Sequence, residues 1–96
     1  MRRVLIGDLM AAARLIAPLP ACDRRPVLRR LLAETHAAHL YAKRFGRPHR
    51  LWGNGSLMAR AMAIQTDPVP PWGGPLRAAL AEVIAALQER DHFNHS

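Results

Sequence analysis

Apolar positions recur along the chain at helical spacing and are cut into four runs by proline and glycine. The first run extends from about Asp8 to Ala17. Leu9, Ala12, Ala13 and Ile16 repeat on one face, Asp8 is placed to cap the start, and Pro18 and Pro20 close the end. Val4, Leu5 and Ile6 precede it as a hydrophobic staple or an extra turn. The second run is the longest, from about Arg24 to Phe45, with Asp23 as N-cap and Pro26 in the first turn. Advancing about 100° per residue gathers Val27, Leu28, Leu31, Leu32, Thr35, Ala38, Ala42 and Phe45 on one arc, with Tyr41 at its edge. Gly46 and Pro48 end it.

The third run follows a Gly53-Asn54-Gly55-Ser56 turn and reaches about Gln65, with Leu57, Ala61 and Ile64 in a stripe and Met58 and Met62 beside it. A stiff Pro- and Gly-rich linker occupies residues 67–75, and its Trp72 is expected to fold back over the core. The fourth run, from Pro75 to about Arg90, carries the clearest stripe: Leu76, Leu80, Val83, Ile84 and Leu87. Residues 91–96 read as a frayed tail. The expected fold is therefore all-α, a compact single-domain bundle of about four helices, with the second helix as its spine and the fourth packed last.

Composition sharpens this reading. Of 96 residues, 17 are alanine and 13 leucine, while five are aromatic, a balance that suits helices and starves a β-sandwich of filling side chains. So short a chain builds a thin core, which argues against a large active-site cleft or a two-domain cofactor enzyme. A single cysteine, Cys22, permits no internal disulfide and fits a reducing cytoplasm. The basic start followed by apolar residues resembles an export signal, and Leu19 to Cys22 a lipoprotein box. Asp8 and Arg14 break the apolar run that export requires, so a cytoplasmic location is expected.

Charge is uneven. Residues 1–66 hold 12 basic and 3 acidic residues, whereas residues 67–96 hold 2 and 4. A basic body suits an anionic partner, DNA or RNA ahead of a membrane, although arginine and alanine are also what a GC-rich coding sequence enriches. The stretch that concentrates this signal is Lys43 to Met58. Lys43, Arg44, Arg47 and Arg50 interleave with Phe45 and Trp52, and Gly53, Asn54, Gly55 and Ser56 then open a helix. Arginines form bidentate phosphate contacts, tryptophan stacks on bases, and glycines at a helix start let an anion approach free N–H groups. The same residues also serve as plain scaffold: cap glycines, an Asn or Ser cap, and a tryptophan sealing the core. The Gly-Lys-Ser/Thr ending of a phosphate-binding P-loop is absent.

Other chemistry finds little support. His36 and His39 lie three apart and would form a metal set only with distant Cys22, so no metal or other cofactor is expected. Ser56 lacks a nucleophile elbow, and Asp8 and Glu34 form no recognisable acid–base pair, so the protein is expected not to be an enzyme. The opening MRRVLIGDLMAAAR and the central HRLWGNGSLM resemble a family of uncharacterised small proteins of rhodobacter-like alphaproteobacteria, over most of residues 1–65. That resemblance implies a bacterial cytoplasmic setting and carries no catalytic residue. The leading expectation is a small basic binding module that contacts nucleic-acid phosphates as an accessory or adaptor. The alternative is an assembly subunit that completes its burial on a partner protein or a second copy.

Overall fold

The computed structural model describes residues 3–64 and 72–95, with side chains placed through Arg90. Four helices form an all-α single domain: α1 (Ile6–Ile16), α2 (Ala21–Phe45), α3 (Leu57–Ile64) and α4 (Gly74–His95). The core joins Ala12, Ala13 and Ile16 of α1 to Leu28 and Leu31 of α2, Leu57 and Ala61 of α3, and Leu76, Ala79 and Val83 of α4. The short alanine-rich α1, rather than α2, is the central element, since it packs against all three others and most extensively against α3 and α4. Alanines explain the exchange of roles. With almost no side-chain bulk on its buried faces, α1 can be surrounded, whereas α2 keeps one long face in solvent.

Helix starts depart from the sequence reading in an informative way. Asp8 does not cap α1 from outside; Leu5 is the N-cap and Asp8 sits three residues into the helix. Its Oδ2 accepts a hydrogen bond from Leu5 N–H at 2.7 Å, the reaching-back limb of a capping box. Its Oδ1 accepts from Met58 N–H at 2.8 Å, at the start of α3. One buried carboxylate thus serves the N-termini of two helices. Leu5 and Ile6 are exposed, with Ile6 opening the helix ahead of Asp8, while Val4 and Leu9, on either side of the cap, both pack on the core.

Helix α2 begins three residues earlier than expected, after Pro20, so Pro26 falls beyond the first turn and Asp23 sits inside it. An acid there complements the helix dipole, and Pro26 lies on an exposed face where the lost N–H bond is least costly. Arg24 closes the other end of α1. Its Nε donates to Leu19 O and its Nη2 to Ala17 O, both at 3.1 Å, with Nη1 3.9 Å from Glu82 of α4. Thr35 is buried and donates its hydroxyl to Leu31 O at 2.7 Å. Glu34 ties α2 to α3: Arg60 donates to its Oε1 from Nη2 at 2.8 Å and from Nε at 3.1 Å, and Arg30 donates to its Oε2 at 3.2 Å.

Several expected core positions lie outside it. Phe45 is 54% exposed, because the end of α2 projects past the bundle. Trp72 is 58% exposed and does not fold back over the core. Ile64 and Ile84 also face solvent, while Ala79 and Ala86 replace Ile84 on the packed face of α4, where small side chains allow close helix approach. Helix α4 continues to His95, so the stretch read as a frayed tail is helical through that residue. Of the linker, residues 67–71 lie outside the described residues.

The double cap generates the first prediction. Asp8→Ala should lower stability by ~3 kcal/mol, since it removes two charge-assisted hydrogen bonds and leaves two part-buried N–H groups without their acceptor. Asp8→Asn should cost about half as much, because its one carbonyl oxygen can replace only one acceptor. Chemical denaturation followed by circular dichroism measures both.

Acid should weaken the fold over two ranges of pH. Burial, joined by positive charges that include Arg90 and His39, holds His36 below its ordinary value of 6.5. Burial pushes the Glu34 carboxyl up, but hydrogen bonds and charge from Arg60 and Arg30 outweigh it and leave the group below its ordinary 4.5. Both folded values are depressed, so each contribution is complete above the unfolded value and is lost as pH falls through the folded one. The thermal midpoint should decline below pH 6.5 and more steeply below pH 4.5. His36→Gln should flatten the first decline and Glu34→Gln the second.

Candidate nucleic-acid interface

Helix α2 stops where Gly46 adopts a left-handed conformation (φ 68°) and donates its N–H to Ala42 O at 2.8 Å. The chain then folds into a tight turn held by His49 and Gly53, whose backbones exchange hydrogen bonds of 2.7 and 3.0 Å. Gly53 closes it at φ 79°. The His49 ring holds the interior of the turn, its Nδ1 accepting from the N–H groups of Leu51 and Trp52, both at 3.0 Å.

Around that imidazole the rings form a continuous ladder. Trp52 stacks on His49 with centroids 4.9 Å apart and planes 14° apart. His49 meets Tyr41 edge-on at 4.8 Å, and Tyr41 meets Phe45 at 4.7 Å. The Arg44 guanidinium lies 5.5 Å from the centroid of the Phe45 ring. Trp52 is half-buried against His49 and takes no part in the hydrophobic core, so it does not seal that core as the scaffold reading supposed. Tyr41 and His49 were not among the candidate residues. The spacing of Tyr41 and Phe45, one helical turn apart, was the available signal for the first. The second depended on the turn that follows, which only folding reveals.

Lys43, Arg44, Arg47 and Arg50 are all exposed at this end of the molecule. Among the described residues none of the four is in an ion pair. The contrast with the rest of α2 is sharp. Arg24 pairs with Glu82, Arg25 and Arg29 with Glu89, and Arg30 with Glu34. The acids of α4 therefore lie along the N-terminal half of α2 and neutralise Arg24, Arg25 and Arg29, while at its C-terminal end the bases have no ion-pair partner among the described residues.

The glycine-rich turn has a different part. Asn54 Oδ1 accepts from Ser56 N–H at 3.0 Å, and Ser56 Oγ accepts from Ala59 N–H at 3.3 Å as the cap of α3. Met58 N–H is taken by Asp8. The helix start is thus already served by internal acceptors, one of them a carboxylate standing where an outside anion would bind. Gly55 is buried at φ 91°, so close to α2 that an added Cβ would lie 2.5 Å from His39 Cβ and 2.6 Å from its Cα. The structure therefore divides the candidate set. Lys43, Arg44, Arg47, Arg50 and Trp52 lie on the surface or its margin, while Gly53, Asn54, Gly55 and Ser56 shape and cap the turn.

Among the described residues no three His, Cys, Asp or Glu side chains converge to hold a metal, and no helix is long and apolar enough to cross a membrane. Cys22 is exposed. The family described as Domain of unknown function (DUF7742) matches residues 2–87, and the chain belongs to it. No curated protein and no solved structure matches the chain.

The two glycines of the turn should respond differently to alanine. At Gly53 nothing lies near the added methyl, so only the left-handed backbone opposes it, at about 1–2 kcal/mol. At Gly55 the same strain adds to a collision with the α2 backbone, and loss should exceed ~3 kcal/mol or displace the turn altogether. Thermal denaturation of the two variants side by side measures the difference.

Proposed function

We propose that the protein is a small, non-enzymatic binding module of the bacterial cytoplasm that contacts nucleic-acid phosphates through the end of α2 and the turn after it, as an accessory or adaptor. One observation carries this reading: at the end of α2 and the turn that bears the aromatic ladder, four exposed bases have no ion-pair partner among the described residues, while the other arginines of α2 are neutralised by carboxylates. Unpaired arginines bind phosphate without first breaking an internal salt bridge, and guanidinium forks match phosphate geometry. Phe45, exposed at the edge of the ladder, offers a ring face on which an unpaired base can stack. The contacts reach backbone and ring faces, and nothing in the arrangement reads a base edge, so binding tolerates sequence. No cofactor enters this reading.

Fluorescence anisotropy with a labelled single strand, and with the matching duplex, tests it. Four phosphate contacts predict a log–log salt slope of about −3 on a single strand. Neutralising Lys43, Arg44, Arg47 and Arg50 together with alanine should bring the slope close to zero while the helical signal persists. Arg25→Ala with Arg29→Ala, which removes bases already paired to Glu89, should change the slope by less than one phosphate equivalent. An unchanged slope in the fourfold variant would exclude this surface as the binding site.

A further inference from the structure

Three of the chain's four methionines line one groove between α1 and α3. Gly7 and Ala11, one helical turn apart on α1, form its floor, and their small size gives it depth. A Cβ on Gly7 would already lie 3.4 Å from Met58 Sδ. Ile6 and Met10 rise on one side, and Met58 and Met62 on the other. The groove encloses about 390 Å³, and its walls are open to solvent, with Ile6 71% and Met62 64% exposed. Apolar surface gathered in a concave, methionine-rich strip is unusual on a free monomer and is the form taken by grooves that receive the apolar face of a helix.

Charge selects the occupant. Among the described residues the one charged side chain lining the groove is Arg14, whose Nε is buried without a hydrogen-bond acceptor among them. Beyond Ile6, Gly7 and Met58 the groove continues into a second recess bordered by Arg3. Among the described residues neither arginine is in an ion pair. Asp8 also borders that recess, but its two oxygens are engaged by Leu5 and Met58. The trough is therefore lined mostly by apolar side chains, with the Arg14 guanidinium toward one end and, at the other, Arg3 in a recess that it shares with the internally bonded Asp8 carboxylate. A second copy of the chain is a poor complement. It would bring like arginines together, and among its described acids Glu34, Glu82 and Glu89 are already paired and Asp8 is buried, which leaves exposed Asp23 as the single carboxylate to set against them.

We infer that this trough binds an amphipathic helix of a partner protein, with apolar anchors at i, i+4 and i+7 flanked by acidic residues. Its apolar side chains fill the space between the methionines, and its carboxylates face Arg14 and Arg3. Methionine thioethers adapt to anchors of different shape, so the groove sets the class of partner by charge more than by fit. The inference is independent of nucleic-acid binding, since it uses none of Lys43, Arg44, Arg47 or Arg50.

Protein carrying ¹³C-methyl methionine tests this directly. The probes are two synthetic amphipathic helices with leucine at i, i+4 and i+7, one flanked by glutamate and one by lysine. With the glutamate peptide the methyl signals of Met10, Met58 and Met62 should move. The lysine peptide should bind at least about tenfold more weakly at low salt. Met58→Gln with Met62→Gln should weaken the glutamate peptide by a similar factor without loss of helical signal, and Arg3→Gln with Arg14→Gln should narrow the gap between the peptides. The inference is overturned if the three groove signals ignore the glutamate peptide or if both peptides bind equally. It also falls if the signals shift with protein concentration alone, which would make a second copy the occupant. Movement with decanoate but not with peptide would replace the partner helix by a small amphiphile.

Discussion

The fold hangs on the carboxylate of Asp8. It is buried, it accepts hydrogen bonds from Leu5 N–H and Met58 N–H, and it thereby joins the beginnings of two helices that are fifty residues apart in the chain. Helix α3 has only eight residues and could not persist in water by itself. Its stability comes from Leu57 and Ala61 in the core and from the charge placed at its N-terminus by α1. At the opposite end of α1, the Arg24 guanidinium closes the last carbonyls. The central helix is thus held at each terminus by the charge its dipole favours, supplied by Asp8 from α1 itself and by Arg24 from α2.

That arrangement governs where chemistry is available. Asp8 and Ser56 take the Met58 and Ala59 donors at the start of α3, so the glycine-rich turn shapes and caps that helix. Gly55 brings it against the α2 backbone at His39, and His49 organises the residues before it. What remains open is the cationic rim, which gains its character by subtraction: α4 supplies Glu82 and Glu89 to the first half of α2, and among the described residues no carboxylate pairs with Lys43, Arg44, Arg47 or Arg50. The docking of α1 on α3 leaves a second unsatisfied surface, the methionine groove. The proposed adaptor role follows from two exposed surfaces of different character on one thin-cored domain, one cationic and aromatic, the other apolar.

Read without its structure, the sequence is sufficient for the class of fold and for the order of the elements. Alanine and leucine at helical spacing, Gly46 before Pro48, and Ser56 before Leu57 are local signals, and each acts through backbone geometry within a few residues. The exposure of Lys43, Arg44, Arg47 and Arg50 was legible for the same reason, since long charged side chains at a helix end remain in water. Helix starts were less legible. Asp8 looks like a cap in one dimension, and its dual service depends on a partner that sequence distance conceals.

Tertiary structure alone decided the rest. Which arginines are neutral in effect depends on contacts such as Arg25 to Glu89, spanning 64 residues, that no local pattern encodes. Phe45 belongs to the apolar arc by periodicity, yet it is exposed because the bundle ends before α2 does. The role of α1 as the center rather than α2 follows from alanines that rank low in hydrophobic strength but permit approach from every side. Local propensity and period thus set what each segment becomes, whereas burial, charge compensation and the free surfaces depend on how the segments meet, a property of pairs of residues remote in sequence.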